Sequence, residues 1–185
     1  MKKEAVLNAL EAEMASAELP LMPANLVFGE GSPAARVMFV GEAPGKHEDI
    51  EKRPFVGRSG KLLNAMLESI GWKREEVYIT NIVKRRPPEN RDPSLEEISA
   101  YAPYLARQIK ALNPKVIVPL GRFAMNHFLP EGQISRDQGT AFPWGRRIIY
   151  PIFHPAAALR SPKMMRAFKK SFAGLPAAAG DLATE

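Results

Sequence analysis

Four short, mostly apolar runs alternate along this sequence with segments of helical periodicity. The apolar runs are typical of strands that a sheet buries on both faces, and they lie at residues 35–40, 77–80, 116–120 and 148–152. The amphipathic segments predict helices at residues 3–17, 60–70, 95–112, 122–128 and 162–175. This alternation predicts a three-layer α/β/α sandwich around a central, mainly parallel, four-stranded sheet.

Local signals mark the ends of two of these helices. Ser94 and Glu97 form a predicted capping box, in which each side chain pairs with the backbone N–H of the other residue. Ser59 is the predicted N-cap of the helix at 60–70, and Gly71 ends that helix.

The length of 185 residues is sufficient for one domain with a substantial core. We expect this domain to span residues 1–176 and residues 177–185 to form a flexible tail. Hydrophobic residues make up 45% of the chain, and no apolar run approaches the ~20 residues that cross a bilayer. The first residues show no secretory signal pattern. The expectation is a cytoplasmic monomer that does not contact a membrane.

Charge and cysteine content narrow the possible classes of function. The formal charge of +6 and the isoelectric point near 9.7 favour a polyanionic partner. The absence of cysteine excludes disulfides, thiolate nucleophiles, and zinc or iron–sulfur sites built on thiolates. His47, His127 and His154 show no metal-ligand spacing, so no bound metal is expected.

A polar or glycine-containing group lies at the carboxyl end of each predicted strand. These groups are Glu42 in the Gly41–Gly45 loop, Asn81, Gly121-Arg122 and His154. The carboxyl ends of parallel strands meet at one edge of a sheet, where open α/β proteins bind their ligands. Glycines in the first loop allow backbone N–H groups to approach a ligand closely. The sequence therefore predicts one pocket shared by these groups.

Each candidate residue has a functional and a structural interpretation. Asn81 can pair with the edge of a nucleobase or form a turn, and Phe55 can stack on a flat ring or pack in the core. His154 can donate a hydrogen bond to a developing anion or serve a structural role. The basic residues between Lys84 and Arg91 can hold phosphates or solubilise a loop. Their placement at successive strand ends favours a shared site.

Four motifs occur in a fixed order between about Gly29 and Leu175. They are Gly41-Glu42-Ala43-Pro44-Gly45, the run from Arg53 to Gly60, the run from Tyr78 to Arg91, and the run from His154 to Arg160. In this order and spacing they resemble the uracil-DNA glycosylases of the fourth branch of that superfamily, the bacterial and archaeal type. The resemblance implies that the protein hydrolyses the N-glycosidic bond of deoxyuridine in DNA and releases uracil in base excision repair.

The resemblance also implies roles for individual residues in the pocket. The backbone amides of the Gly41–Gly45 loop, with Ala43 at its centre, would contact the extruded uracil. Phe55 would stack on this base, Asn81 would read its N3–H and O4 edge, and His154 would face O2. His154 would be catalytic, because it stabilises the uracil anion.

Contacts with uracil-containing DNA, single- or double-stranded, are implied for the residues around the pocket. The segment from Pro155 to Arg160 would enter the minor groove and hold the helix open, with Leu159 or Arg160 as the wedge. The other predicted DNA contacts are Arg58, Ser59, Lys84, Arg86 and Arg91.

Two departures from the family pattern concern a cofactor and a serine. The family carries four cysteines that hold a 4Fe–4S cluster, and the equivalent positions here are Met14, Ala17, Arg85 and Tyr101. We therefore expect no cluster, and packing and hydrogen bonds must hold the N-terminal helix and the basic loop. Serine usually follows the His-Pro pair, whereas this chain has Ala156, which removes one contact and lowers the expected activity.

The loop carboxylate also differs from that of a sister branch. That branch has an aspartate, which orients water, where this chain has Ala43. Glu42 is then the only carboxylate in the loop, and we expect it to be catalytic together with His154.

The sequence also allows two alternatives to a hydrolytic enzyme. The missing cluster and Ala156 suggest a protein that binds uracil or abasic DNA with little or no turnover. One relative traps DNA covalently through a histidine in a basic loop after the asparagine motif. This chain has no histidine between His47 and His127, which disfavours the covalent alternative.

Overall fold

The computed structural model describes residues 2–180, and one six-stranded sheet lies at the centre of this part. Its strands are β1 (Glu30–Gly31), β2 (Val37–Gly41), β3 (Tyr78–Asn81), β4 (Val116–Pro119), β5 (Phe142–Trp144) and β6 (Arg147–Ile149). They lie in the order β1-β3-β2-β4-β6-β5 across the sheet. The four central strands are parallel, and β1 and β5 pair antiparallel at the two edges.

The four predicted strands form the parallel centre, so the predicted α/β sandwich is confirmed. Strand β6 is shorter than the apolar run at 148–152, because Ile152 makes only an isolated bridge with Leu120. The sequence analysis missed both edge strands. Segments of two and three residues are too short to show a hydrophobic period.

Strand β2 lies in the middle of the parallel strands and is buried along its whole length. Val37 and Phe39 face one hydrophobic layer, and Met38 and Val40 face the other, because successive side chains of a strand alternate. At the carboxyl end of the sheet Gly41 is in register with Asn81 of β3. The loop that follows Gly41 therefore begins beside the Asn81 side chain.

Helices cover both faces of the sheet and surround its carboxyl edge. Within residues 2–180 they are α1 (Lys3–Ser16), α2 (Lys46–Glu51), α3 (Arg58–Ser69), α4 (Leu95–Leu112), α5 (Arg122–Phe128), α6 (Ile134–Asp137), α7 (Pro155–Ala158) and α8 (Pro162–Ala179). Helices α1 and α4 pack on one face, and α3 and α8 pack on the other. The sequence analysis missed α2, α6 and α7, which have only four to six residues each.

The predicted capping box at the start of α4 is confirmed. The Ser94 hydroxyl accepts a hydrogen bond from the Glu97 N–H, and the Glu97 carboxylate accepts one from the Ser94 N–H. The predicted cap of α3 was wrong, because that helix begins at Arg58 with Gly57 as its N-cap residue, so Ser59 lies inside its first turn. The Glu48 carboxylate accepts the Gly57 N–H at 2.9 Å instead.

The last helix continues further than the sequence analysis expected. Helix α8 extends to Ala179, which is buried, so the tail predicted from residue 177 does not begin there. The rest of that predicted tail, residues 181–185, lies outside the described residues. Across residues 2–180 the structure contains no helix long and apolar enough to span a membrane.

Candidate active site at the carboxyl edge of the sheet

A pocket of about 670 Å³ lies where the parallel strands end. Of the predicted site residues, those that line it are Glu42, Ala43, Gly45, Phe55, Ser59, Asn81, Arg91, His154 and Arg160. The pocket collects segments that are more than 100 residues apart in sequence, from Glu42 to His154. The structure therefore brings together the aromatic ring, the amide, the histidine and the carboxylate that the sequence suggested for one site.

Gly41 allows two of these side chains to approach the end of β2. A Cβ atom at this position would lie 2.3 Å from Asn81 Oδ1 and 2.5 Å from Phe55 Cζ. Both distances are far below van der Waals contact, so any larger residue would displace the amide or the ring. The absence of a side chain at Gly41 therefore leaves the space that the Asn81 and Phe55 side chains occupy.

The Phe55 ring occupies a fixed position between the loop and the histidine. Its centroid lies 5.7 Å from that of the His154 ring, with an angle of 32° between the planes. The backbone of Phe55 adopts φ 51, a left-handed conformation that is unusual for a large side chain. Phe55 also packs in the hydrophobic core. The ring is therefore a core side chain and is at the same time placed in the pocket, where it could stack on a flat ligand.

His154 caps the short helix α7 with its own ring. Its Nδ1 atom accepts a hydrogen bond of 3.0 Å from the Ala156 N–H. The neutral ring must then carry its proton on Nε2, where it is available as a donor. Burial, helped by the nearby charge of Arg160, lowers the pKa of His154 to about 4. The ring is therefore neutral at physiological pH.

Glu42 is a half-buried carboxylate in the wall of the pocket. Burial raises its pKa to about 7, the negative charge of Asp92 adds to this rise, and the positive charge of Arg122 opposes it. Asp92 and Arg122 also line the pocket and form an exposed ion pair of 3.7 Å. Glu42 can therefore exchange a proton near neutral pH, as a general base requires.

Asn81 is almost completely buried, and its backbone carbonyl accepts a hydrogen bond from a lysine side chain. The Nζ atom of Lys84 donates a hydrogen bond of 2.7 Å to the Asn81 carbonyl and another to the Thr80 hydroxyl. Lys84 is fully buried, and burial lowers its pKa well below the ordinary value. The prediction that Lys84 contacts DNA was wrong, because its Nζ atom lies inside the protein and supports the end of β3.

The other predicted DNA-binding residues lie in different surroundings. Ser59, Arg91 and Arg160 line the pocket, whereas Arg58 and Leu159 are exposed outside the pocket lining. Arg91 pairs with Glu97 through two hydrogen bonds. Two further predicted contacts are more constrained: Arg86 is half-buried and donates to Asn90 Oδ1 at 2.6 Å, and Pro155 is the buried first residue of α7.

The sequence analysis missed two acidic residues that line the pocket, Glu48 and Asp92. Glu48 accepts hydrogen bonds from the N–H groups of Val56 and Gly57, and so ties the segment after Phe55 to helix α2. Its position in sequence, three residues after Gly45, was the available signal. Asp92 carried no comparable signal, because the effect of its charge on Glu42 depends on how the fold places the two residues.

Three of the four positions that the resemblance equates with cluster cysteines carry side chains that make other contacts in the fold. Met14 and Tyr101 are fully buried, and the Tyr101 hydroxyl donates a hydrogen bond of 2.6 Å to the Pro20 carbonyl. The guanidinium of Arg85 donates to the Ala24 carbonyl. These side chains offer no thiolate, and the described residues contain no group of three histidine, cysteine, aspartate or glutamate residues placed to hold a metal.

Comparisons with known proteins show which family this sequence is similar to. Residues 28–175 match the family model described as the Uracil DNA glycosylase superfamily. The Type-4 uracil-DNA glycosylase of Archaeoglobus fulgidus is 48% identical over 157 residues, covering 80% of this chain and 79% of the relative. That of Sulfurisphaera tokodaii is 46% identical, with coverage of 80% and 72%, and that of Thermotoga maritima is 45% identical, with coverage of 77% and 76%.

Proposed function

Because this chain belongs to the Uracil DNA glycosylase superfamily, we propose that it hydrolyses the N-glycosidic bond of deoxyuridine in DNA and releases uracil. Such a reaction would serve base excision repair. The single observation that carries the proposal is the meeting of Phe55, Asn81 and His154 in one pocket at the end of the parallel strands. These residues come from three separate segments of the chain, so chance placement in one pocket is a poor explanation.

Recognition of the base follows from the shape and polarity of this pocket. The target nucleotide must leave the DNA stack to reach it, at a cost of a few kcal/mol that is smallest in single strands and mismatches. Phe55 offers an aromatic face for stacking, and the Asn81 side chain offers a donor and an acceptor to the N3–H and O4 edge of uracil. Cytosine reverses this pattern of donors and acceptors, so an Asn81 amide held with Oδ1 towards N3–H and Nδ2 towards O4 would disfavour it.

Bond cleavage leaves negative charge on uracil N1 and O2 and positive charge on the sugar. The neutral His154 ring, with its proton on Nε2, would donate a hydrogen bond to O2 as this charge develops. Backbone amides of the loop from Glu42 to Gly45 would supply further donors. Because the pKa of His154 is about 4, the ring stabilises the anion as a hydrogen-bond donor and does not transfer a proton.

Glu42 would act on the water that completes the hydrolysis. Its carboxylate form, which prevails above a pKa of about 7, can accept a proton from water and favours positive charge on the sugar. The water oxygen then bonds to the anomeric carbon, the water proton goes to Glu42, and the uracil anion leaves. This role requires Glu42 in the pocket wall, where the structure has it.

Two further properties belong to the same proposal. The protein would bind DNA as a monomer, single- or double-stranded, with Leu159 or Arg160 filling the space of the extruded base; both residues are exposed beside the pocket. It would also work without an iron–sulfur cluster. The hydrogen bonds of Tyr101 to Pro20 and of Arg85 to Ala24 would tie helix α4 and the basic loop to the segment after α1.

A separate measurement tests the cluster-free part of the proposal. Purified protein is expected to contain far less than one iron atom per chain. It should also lack the broad absorption band near 400 nm that an iron–sulfur cluster would give. Arg85→Met, which removes the hydrogen bond to the Ala24 carbonyl, should lower the melting temperature. Arg146→Met, at an exposed residue between β5 and β6, serves as a comparison with equal loss of charge. Stoichiometric iron, or an Arg85→Met variant as stable as the native protein, would contradict the proposal.

The activity itself is tested on an oligonucleotide with one uracil, followed by alkaline cleavage at the abasic site. Native protein should cleave this strand and leave a matched thymine-containing strand intact, and Asn81→Ala should lose most of the activity. Absence of cleavage by folded protein would refute the enzymatic function. If the protein then retained tight binding to uracil-DNA, the non-catalytic alternative would explain the pocket.

A further inference from the structure

Arg74 lies outside the pocket lining and directs two of its five donors to the loop at residues 53–57, here called the Phe55 loop. The residue belongs to a 3-10 turn, Arg74–Glu76, between α3 and β3. Its Nη1 donates to the Phe55 carbonyl at 3.0 Å and to Asn64 Oδ1 at 2.8 Å. Its Nη2 donates to the Pro54 carbonyl and to Glu30 Oε1, and its Nε also donates to Glu30. A guanidinium has five N–H donors, and each has a partner here.

The Phe55 carbonyl has a particular need for this donor. With φ 51, the backbone of Phe55 turns its carbonyl towards the first turn of helix α3. A Cβ atom on Gly60 would lie only 1.8 Å from the Phe55 oxygen, so the helix covers this group closely. A carbonyl shielded in this way needs a partner inside the protein, and Arg74 is the side chain that donates to it.

The Phe55 loop is thus held from two sides. On the pocket side, the Glu48 carboxylate accepts the N–H groups of Val56 and Gly57. On the far side, Arg74 donates to the carbonyls of Pro54 and Phe55. Glu30 in the edge strand β1 fixes the Arg74 guanidinium and also pairs with Arg53 of the same loop. These contacts link an edge strand of the sheet to the pocket.

We propose that Arg74 is a positioning residue that fixes the ring of Phe55 as the stacking surface for the extruded base. The inference rests on the proposed function, because it assigns the uracil-stacking role to Phe55. Without the two carbonyl contacts, the left-handed backbone at Phe55 loses the partner that stabilises it, and the loop relaxes away from this conformation. The ring would then no longer lie at its observed distance of 5.7 Å from the His154 ring.

Arg74→Met removes every donor but keeps a side chain of similar length. The single-turnover rate on uracil-DNA at saturating enzyme should fall about 10- to 100-fold, since small displacements of a positioning group have effects of this size. Arg74→Lys retains the charge and three donors, so its loss should be smaller. Arg107→Met is the matched control. Arg107 forms a bidentate ion pair with Glu13 on the exposed face of α1 and α4, so its loss should leave the rate unchanged.

A double-mutant cycle separates positioning from general destabilisation. If Arg74 acts through the Phe55 ring, Arg74→Met should change the rate less than twofold in a Phe55→Ala background. A purely structural effect would persist in that background at full size. That outcome, or an Arg74→Met rate equal to that of the native protein, would overturn the inference.

Hydrogen exchange of the loop gives a readout that does not depend on activity. The N–H groups of Val56 and Gly57 should exchange faster in Arg74→Met than in the native protein and in Arg107→Met. Unchanged exchange would overturn the inference whatever the rates show. If native protein releases no uracil, the proposed function fails on that result alone, and the exchange measurement still decides whether Arg74 fixes the loop.

Discussion

The Nδ1 atom of His154 accepts a hydrogen bond from the backbone N–H of Ala156 at 3.0 Å. This contact uses only the backbone of residue 156, so the replacement of the usual serine by alanine leaves it intact. It fixes both the orientation of the ring and the tautomer with a proton on Nε2. The alanine is therefore compatible with an active histidine, and the case for a non-catalytic protein is weaker than the sequence suggested.

The first prediction concerns the donor on this ring. His154→Ala should lower the single-turnover rate by about 100-fold or more, which is typical for loss of one donor to a developing anion. His154→Gln should retain more activity, because its side-chain amide can place an N–H donor near the position of Nε2. Rates of the two variants on the same uracil oligonucleotide test this order. Equal rates for both variants would mean that the imidazole does more than donate one hydrogen bond.

The second prediction concerns the ionisation of Glu42. Because burial raises its pKa to about 7, the carboxylate that would serve as base in the proposed reaction is present above that pH and lost below it. The rate should therefore rise with pH, with a midpoint near 7, and level off. Glu42→Gln should be about 100-fold slower on the plateau and show no such rise. A rise that persists in Glu42→Gln would assign the titration to another group.

The third prediction uses the two charges that flank Glu42. Asp92 raises the pKa of Glu42 and Arg122 lowers it, so their neutralisation should have opposite effects. Asp92→Asn should move the midpoint of the pH–rate profile to lower pH, and Arg122→Gln should move it to higher pH. The two residues form an exposed ion pair, so each variant breaks the same contact. Shifts in the same direction would show that the broken pair, and not the charge, controls Glu42.

Much of the fold could be predicted because its signals are local in sequence. The apolar runs are buried on both faces in a parallel sheet, and strand ends in such a sheet share one edge. Parallel strands bring the Gly41 and Asn81 motifs to the same edge of the sheet, and the observed register of Gly41 with Asn81 sets them side by side. The edge strands β1 and β5 could not be predicted from the sequence. They have only two and three residues, and pairing with a neighbouring strand defines them, not a hydrophobic pattern of their own.

The parts of the site that could not be predicted depend on contacts across the fold. Lys84 looks like its basic neighbours in sequence, yet the turn after β3 directs it inwards onto the Asn81 carbonyl. Arg74 lies in an ordinary charged segment, and only the folded chain shows that it contacts the Phe55 carbonyl. A charged side chain is expected at the surface, so burial of a lysine is a tertiary property.

The fourth prediction separates Lys84 from the basic residues at the pocket. Phosphate contacts make DNA affinity fall with salt, and each lost contact reduces the slope of log affinity against log salt by about 1. Arg160→Ala should reduce this slope, because Arg160 is exposed at the pocket. Lys84→Met should leave the slope unchanged but lower both the melting temperature and the rate, because the Asn81 carbonyl loses its donor. Binding to an abasic oligonucleotide at several salt concentrations measures both slopes, and equal reductions would show that Lys84 reaches a phosphate after all.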